Sequence, residues 1–253
     1  MNSLAIASIV FTCVFGGALL GLVLRRVLPD DHLGSDSKDV VKLAMGLVAT
    51  MAALALGLLT GSAKSTFDEE DGQLKQVAAN VVLLDRTLAH YGPETNDARE
   101  SIRRLIASRL STIWPEEGAG SVERDDPEAT AAVERIDDQI RALSPQNDTQ
   151  RTLQGRASET LGDVIRTRWL LLGEAGNSVQ RPLLVVLVFW LAALFISFGL
   201  FAPRNPTVVT VLAVAAISVA GSIFLILEMN QPFTGFVKIS SAPLRFALAH
   251  LGQ

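Results

Sequence analysis

Apolar residues follow two distinct patterns along the chain. Four stretches carry no charged side chain: Met1–Leu24, Leu43–Ala63, Pro182–Pro203 and Asn205–Leu227. Each approaches or exceeds the run of about 20 residues a helix needs to cross roughly 30 Å of hydrocarbon. Core helices of soluble proteins rarely run so far without a charge. The first stretch is preceded by no Lys or Arg and shows no small-x-small cleavage site, so it reads as a retained helix rather than a signal peptide. The spans pair into hairpins, with helices at about 4-24 and 43-63, then about 182-202 and 206-227. The loop Arg25–Lys42 joins the first pair and the proline-rich turn Ala202–Thr207 joins the second. An even number of crossings puts both termini and the polar insert on one side of the membrane.

The second pattern fills the insert. Phe67, Leu74, Val81 and Leu88 recur every seven residues, with Val77, Leu84 and Tyr91 three after the last three of them. That is a heptad seam, expected to seek a partner helix. No proline separates it from the second span, so one helix can run from bilayer into water until Gly92-Pro93 stops it. A second helix is expected at about Asp97–Trp114, with Ile102, Leu105, Ile106, Leu110 and Ile113 on one face. Gly118–Asp126 reads as a polar loop, and Asp126-Pro127 as a capped helix start. Val133, Ile136 and Ile140 follow at helical spacing, and a further helix is expected at about Asp148–Leu172.

Composition sharpens this picture. The chain has 253 residues, 49% of them hydrophobic and 19% charged, and its net charge is −4. Such apolar content excludes bulk disorder, and the acidic balance argues against nucleic acid as a partner. Residues 65-179 hold 13 basic and 21 acidic side chains, net −8, while the rest of the chain is net +4. An acidic insert suits an ordinary soluble domain and equally a vestibule that concentrates cations. The lone Cys13 excludes a disulfide framework within the chain. His32, His90 and His250 lack metal-ligand spacing, and no phosphate loop or nucleophile elbow is present. No catalytic residue, metal ligand or cofactor is assigned, and the chain reads as no enzyme.

The second span carries the candidate chemistry. Gly46, Thr50, Ala53, Gly57 and Thr60 share one face and lead to Lys64 and Phe67. Leu47, Met51, Leu54 and Leu58 occupy an adjoining greasy face. Small residues spaced by four allow close helix packing. The same residues suit a pore wall, with threonine hydroxyls replacing water around an ion. Beyond the membrane, Asp68, Glu69 and Asp71 would form acidic rings in an oligomer, with Asp68 placed to neutralise Lys64.

A family resemblance rests on these residues. Val40-Val41-Lys42-Leu43, the small-residue span and Ser62-Ala63-Lys64-Ser65-x-Phe67-Asp68 resemble the bacterial bestrophin-like family of membrane proteins. The tail Glu228-Met229-Asn230-Gln231-Pro232-Phe233-Thr234-Gly235, then Ile239-Ser240-x-x-Pro243-Leu244, is similar to that family's C-terminal signature. The resemblance covers nearly the whole chain. It implies an all-α membrane protein assembled as a homo-oligomer, most simply a pentamer, with the second helix around the axis. It also implies a bacterial inner membrane location, with cytoplasmic termini and helical domain. No acidic cluster follows Pro232-Phe233, and Phe67 stands alone at the exit of the span.

The expected organisation is therefore a transmembrane hairpin over 1-64, a soluble helical domain over 65-179, a second hairpin over 180-230 and a tail over 231-253. Ser240 or Ser241 is expected to cap a short tail helix carrying Leu244, Ala247, Leu248 and Leu251. Glu228, Pro232, Phe233 and Gly235 are expected to brace the pore helix. The function expected is an ion channel leaning toward cations, potassium among them, with the bilayer and inorganic ions as its partners. An anion channel like the bestrophins, and a non-conducting scaffold whose seam binds another chain, are the alternatives.

Overall fold

The computed structural model describes residues 2-29, 35-115, 127-174, 181-203 and 205-253. Among them it is all-helical, with α1 (Ser3–Leu24), α2 (Ser35–Tyr91), α3 (Asn96–Ile113), α4 (Pro127–Arg141), α5 (Asp148–Glu174), α6 (Arg181–Phe201), α7 (Pro206–Met229) and α8 (Ala242–His250). Four of these helices, α1, α2, α6 and α7, are long and apolar enough to cross a membrane. The loop expected at Arg25–Lys42 is shorter than the sequence suggested, because α2 begins at Ser35. No Gly or Pro lies between Ser35 and Gly46 to stop a helix there, and Asp39 pairs with Lys42 one turn on at 3.8 Å. The loop Gly118–Asp126, its capping Asp126 and Arg204 of the second hairpin turn lie outside the described residues.

The chain divides into two compact units, Met1–Thr66 with Ser178–Asn230, and Phe67–Asn177 with Gln231–Gln253. The first unit buries Val10, Val14 and Ala18 of α1 against Leu187, Leu191, Leu194 and Phe195 of α6, with Ala216, Ile223 and Ile226 of α7. Its outer surface is also apolar: Ile9, Leu20, Val23, Val185, Phe189, Val211 and Ile217 are all exposed. A surface of that kind suits a lipid solvent and would be a liability in water. The α1–α6 contact is built on glycine. A Cβ on Gly21 would lie 2.1 Å from the Ile196 carbonyl oxygen, and one on Gly199 would lie 2.0 Å from that of Ala18. Only hydrogen fits there, so the backbones touch. At the start of α7, the Asn205 carboxamide accepts from the Val208 amide at 2.8 Å and Pro206 sets the first turn.

The second unit packs the heptad seam inside the chain itself. Leu74, Val81, Leu84 and Leu88 of α2 are buried with Ile102 and Ile106 of α3, Val133, Ile136 and Ile140 of α4, Ala157 and Leu161 of α5, and Ile239, Leu244 and Ala247 of the tail. The partner that the seam requires is thus supplied within its own domain. A heptad pattern records that a stripe needs cover, and three helices of the same domain supply it. Local polar bonds set the turns. Gly92 takes a φ of +142°, which admits glycine readily, and the buried Thr95 hydroxyl donates to the Leu88 and Gly92 carbonyls at 2.7 and 2.8 Å. The Asn147 side chain accepts from the Gln150 amide at 2.8 Å and starts α5. Gln154 then donates to the Ile140 and Leu143 carbonyls and ties α5 to the end of α4.

Tyr91 closes the seam with a buried hydroxyl that has no hydrogen-bond partner. Burial first, and the charge of Glu94 second, raise its pKa above the ordinary 10.0. Because the unfolded tyrosine ionises first, this contribution is intact below pH 10.0 and is lost as pH rises beyond it. Tyr91→Phe removes an unsatisfied polar group and keeps the ring. It is expected to match or exceed wild-type thermal stability at neutral pH and to show a smaller loss in alkali, read from paired melts across that pH range.

Candidate ion pathway along the second helix

At 3.6 residues per turn, the membrane-spanning part of α2 divides into three faces whose centres lie about 90°, 120° and 150° apart. Ala52, Leu59 and Ala63 form the packed face, buried in the core of the first unit. Leu43, Leu47, Leu54 and Leu58 form an exposed leucine face. Gly46, Thr50, Ala53, Gly57, Thr60 and Lys64 form the third face, and all of them are exposed. Only 11% of the most apolar stretch of α2 is buried, against 28%, 33% and 28% for α1, α6 and α7. Within a single chain α2 is thus the least satisfied of the membrane-length helices.

The glycines of this span of α2 are not used for packing inside the chain. A Cβ added at Gly46, Gly57 or Gly61 would meet nothing within 4 Å. Close intramolecular helix packing of the small-residue kind lies instead between α1 and α6. The Thr50 and Thr60 hydroxyls donate to the Gly46 and Leu56 carbonyls at 3.0 and 2.8 Å, one turn back along the same helix. Those bonds shield the hydroxyl protons and leave the oxygens' remaining lone pairs outward, a suitable surface for a cation.

Phe67 departs from the stripe, being half-buried and packed against the core of the helical unit. The acids that follow are unequal. Asp68 and Glu69 are exposed, Glu70 is buried, and Asp71 accepts a hydrogen bond from Lys75 at 2.6 Å. Lys64 and Asp68 each engage a partner. The charge of this segment toward solvent therefore rests chiefly on Asp68 and Glu69.

The tail residues fall into both units. Glu228 is buried on α7 in the first. In the second, Pro232 is fully buried and its carbonyl accepts from the Ile239 amide at 2.8 Å. Phe233 meets the Trp114 ring edge-on at a centroid distance of 5.9 Å, and the Trp114 indole donates to the Ile239 carbonyl at 2.9 Å. Gly235 adopts a φ of +94°. Helix α8 buries Leu244 and Ala247 in the helical core, while the Ser240 hydroxyl accepts from the Ala242 amide at 3.2 Å.

Sequence reasoning missed the anchor of this tail. Asp85 of α2, 1% exposed, pairs with Arg99 of α3 through bonds of 2.8 and 3.0 Å. That bonding holds the Arg99 guanidinium above its ordinary pKa, with burial opposing. The Gly252 amide donates to Asp85, and Arg86 and Arg99 donate to the Gln253 backbone carbonyl. The available signal was an acid adjoining the heptad seam within a run of core positions. Among the described residues no three of His, Cys, Asp and Glu gather to hold a metal ion.

Comparison with known proteins places this architecture. A search of curated proteins finds no match. Solved structures do match over nearly their whole length. One, a membrane protein variant, is 15% identical with a TM-score of 0.67, covering 97% of this chain and all of that one. Two variants of a bacterial bestrophin homologue from Klebsiella pneumoniae follow. The first is 16% identical with a TM-score of 0.65, over 96% of this chain and 100% of the other. The second is 15% identical with a TM-score of 0.64, over 94% and 98%. The bestrophin-like domain model matches residues 11–244. The four membrane-length helices, the helical insert and this match together place the chain in the bestrophin-like family.

Proposed function

We propose that the protein is an oligomeric ion channel of the bacterial inner membrane, with α2 lining the pore and cations, potassium foremost, as the permeant ions. The observation that carries this reading is the three-way division of α2. A helix in a ring needs one face for its own chain, one for the next copy and one for the axis. The packed Ala52–Ala63 face, the leucine face and the small hydroxyl face match those roles in turn. A homo-pentamer is the assembly the bestrophin resemblance implies. The termini and helical domain are then cytoplasmic.

Electrostatics supports cations. Around a five-fold axis, Asp68 and Glu69 would present repeated exposed carboxylates near the mouth. Two unit charges about 8 Å apart interact by about 2 kcal/mol at an effective dielectric of about 20, reduced by salt. A cation gains from several such charges and an anion loses. Lys64 opposes this sign; with Asp68 one turn on to offset it, Glu69 carries the remaining net negative charge of each subunit at the mouth. Thr50 and Thr60 supply modest oxygen ligands, which favour the ion with the more easily shed hydration shell.

Cysteine accessibility tests the pore wall. In a Cys13→Ser background, Thr50→Cys and Thr60→Cys channels are expected to lose current on exposure to a cationic thiosulfonate, whereas Leu54→Cys channels keep theirs. Block at Leu54 with none at Thr50 and Thr60 would assign the axis to the leucine face.

A further inference from the structure

We infer that the helical domain binds a single-chain alkyl carboxylate in a partly open apolar cavity, with Arg109 and Arg168 holding the carboxylate. The cavity has a volume of about 160 Å³ and lies wholly within the second unit. Its walls are apolar, formed chiefly by Leu74 of α2, Leu105 of α3, Val133 of α4 and Val164 of α5, with Phe233 and Leu244 of the tail. The walls offer water few polar partners, so an apolar chain that covers them removes apolar surface from solvent. An apolar cavity of about 150 Å³ takes a solute of about benzene size, so a short saturated chain suits this space.

The lining carries two exceptions to its apolar character, and both are arginines. Arg109 of α3 and Arg168 of α5 border the same cavity and are half-buried. A Thr130 hydroxyl accepts from the Arg168 Nη2 at 2.7 Å and fixes the side chain. Each guanidinium has other partners, yet several N–H donors on each leave capacity for a further acceptor. Guanidinium geometry matches a carboxylate in a way an ammonium does not. A ligand with an apolar chain and an anionic end meets both features at once. It would also touch Phe233, and so would stiffen the tail segment that Trp114 and Ile239 hold.

The probe is hexanoate, titrated into full-length protein in amphipol by equilibrium dialysis, with hexanol and hexyltrimethylammonium as controls of equal chain length. Saturable hexanoate binding is expected, at least about tenfold tighter than hexanol, the factor that one charge-assisted hydrogen bond confers. Arg109→Gln with Arg168→Gln should erase that preference, leaving hexanoate and hexanol equal. Val133→Trp should fill the cavity and remove the saturable component. If that variant fails to fold, Leu105→Trp serves the same purpose, and the arginine double variant decides the matter alone. Absent saturable binding in the wild type, or equal affinity for hexanoate and hexanol there, would overturn the inference. Occupancy is read without conduction, so the result stands apart from the channel reading.

Discussion

Replacing Asp85 by alanine is expected to destabilise the helical domain by about 3–5 kcal/mol, the range for removing one partner of a buried ion pair. The loss exceeds the worth of the pair itself, because Arg99 is left charged and only 16% exposed beside an apolar core. Asp85 also accepts from the Gly252 amide, so the same change frees the last turn after α8. Hydrogen exchange of the full-length protein should show α3 and α8 losing protection together. Asp85→Leu combined with Arg99→Leu should recover most of the stability, since no charge is then stranded. Full protection in Asp85→Ala would show that the pair contributes little to the domain.

A side chain at Gly21 or Gly199 is expected to disrupt the first unit even more directly. The atoms a new Cβ would meet are backbone oxygens at 2.1 and 2.0 Å, which cannot rotate aside. The two helices must separate along the contact, so the cost should exceed the about 1–3 kcal/mol typical of overpacking. Gly21→Val and Gly199→Val should yield little monodisperse protein on size-exclusion chromatography. Gly57→Ala and Gly61→Ala, at positions with open space in the chain, should leave the isolated fold intact and report only on contacts between copies or with ions.

Much of the fold was readable because the bilayer imposes a one-dimensional rule. A helix crossing hydrocarbon excludes charge over its whole length, and that exclusion is visible without knowing any neighbour. The seam of α2 was readable for the same reason of periodicity, but its partner was not. Leu74 and Val81 require cover, and nothing in their spacing distinguishes α3 to α5 of the same domain from another copy. Asp85 was hidden because an acid in a polar insert ordinarily faces water. Only the placement of Arg99, a turn into the next helix, makes its burial tolerable. As sequence, the glycines of α2 suggested close packing; the same reading was missed for those of α1. What separates them is that Gly199 of α6 offers α1 a second gap to close into, and α2 meets no such surface in its own chain. The stripe from Gly46 to Lys64 was legible as a pattern, and its role at a pore axis is the proposal that conduction must decide.

The most direct measurement is the reversal potential of the purified protein in planar bilayers under a potassium chloride gradient. The account predicts a current that reverses close to the potassium equilibrium potential and weakens at low salt in Asp68→Asn. Reversal toward the chloride equilibrium potential, or an intact oligomer with no conductance at any voltage, would contradict it.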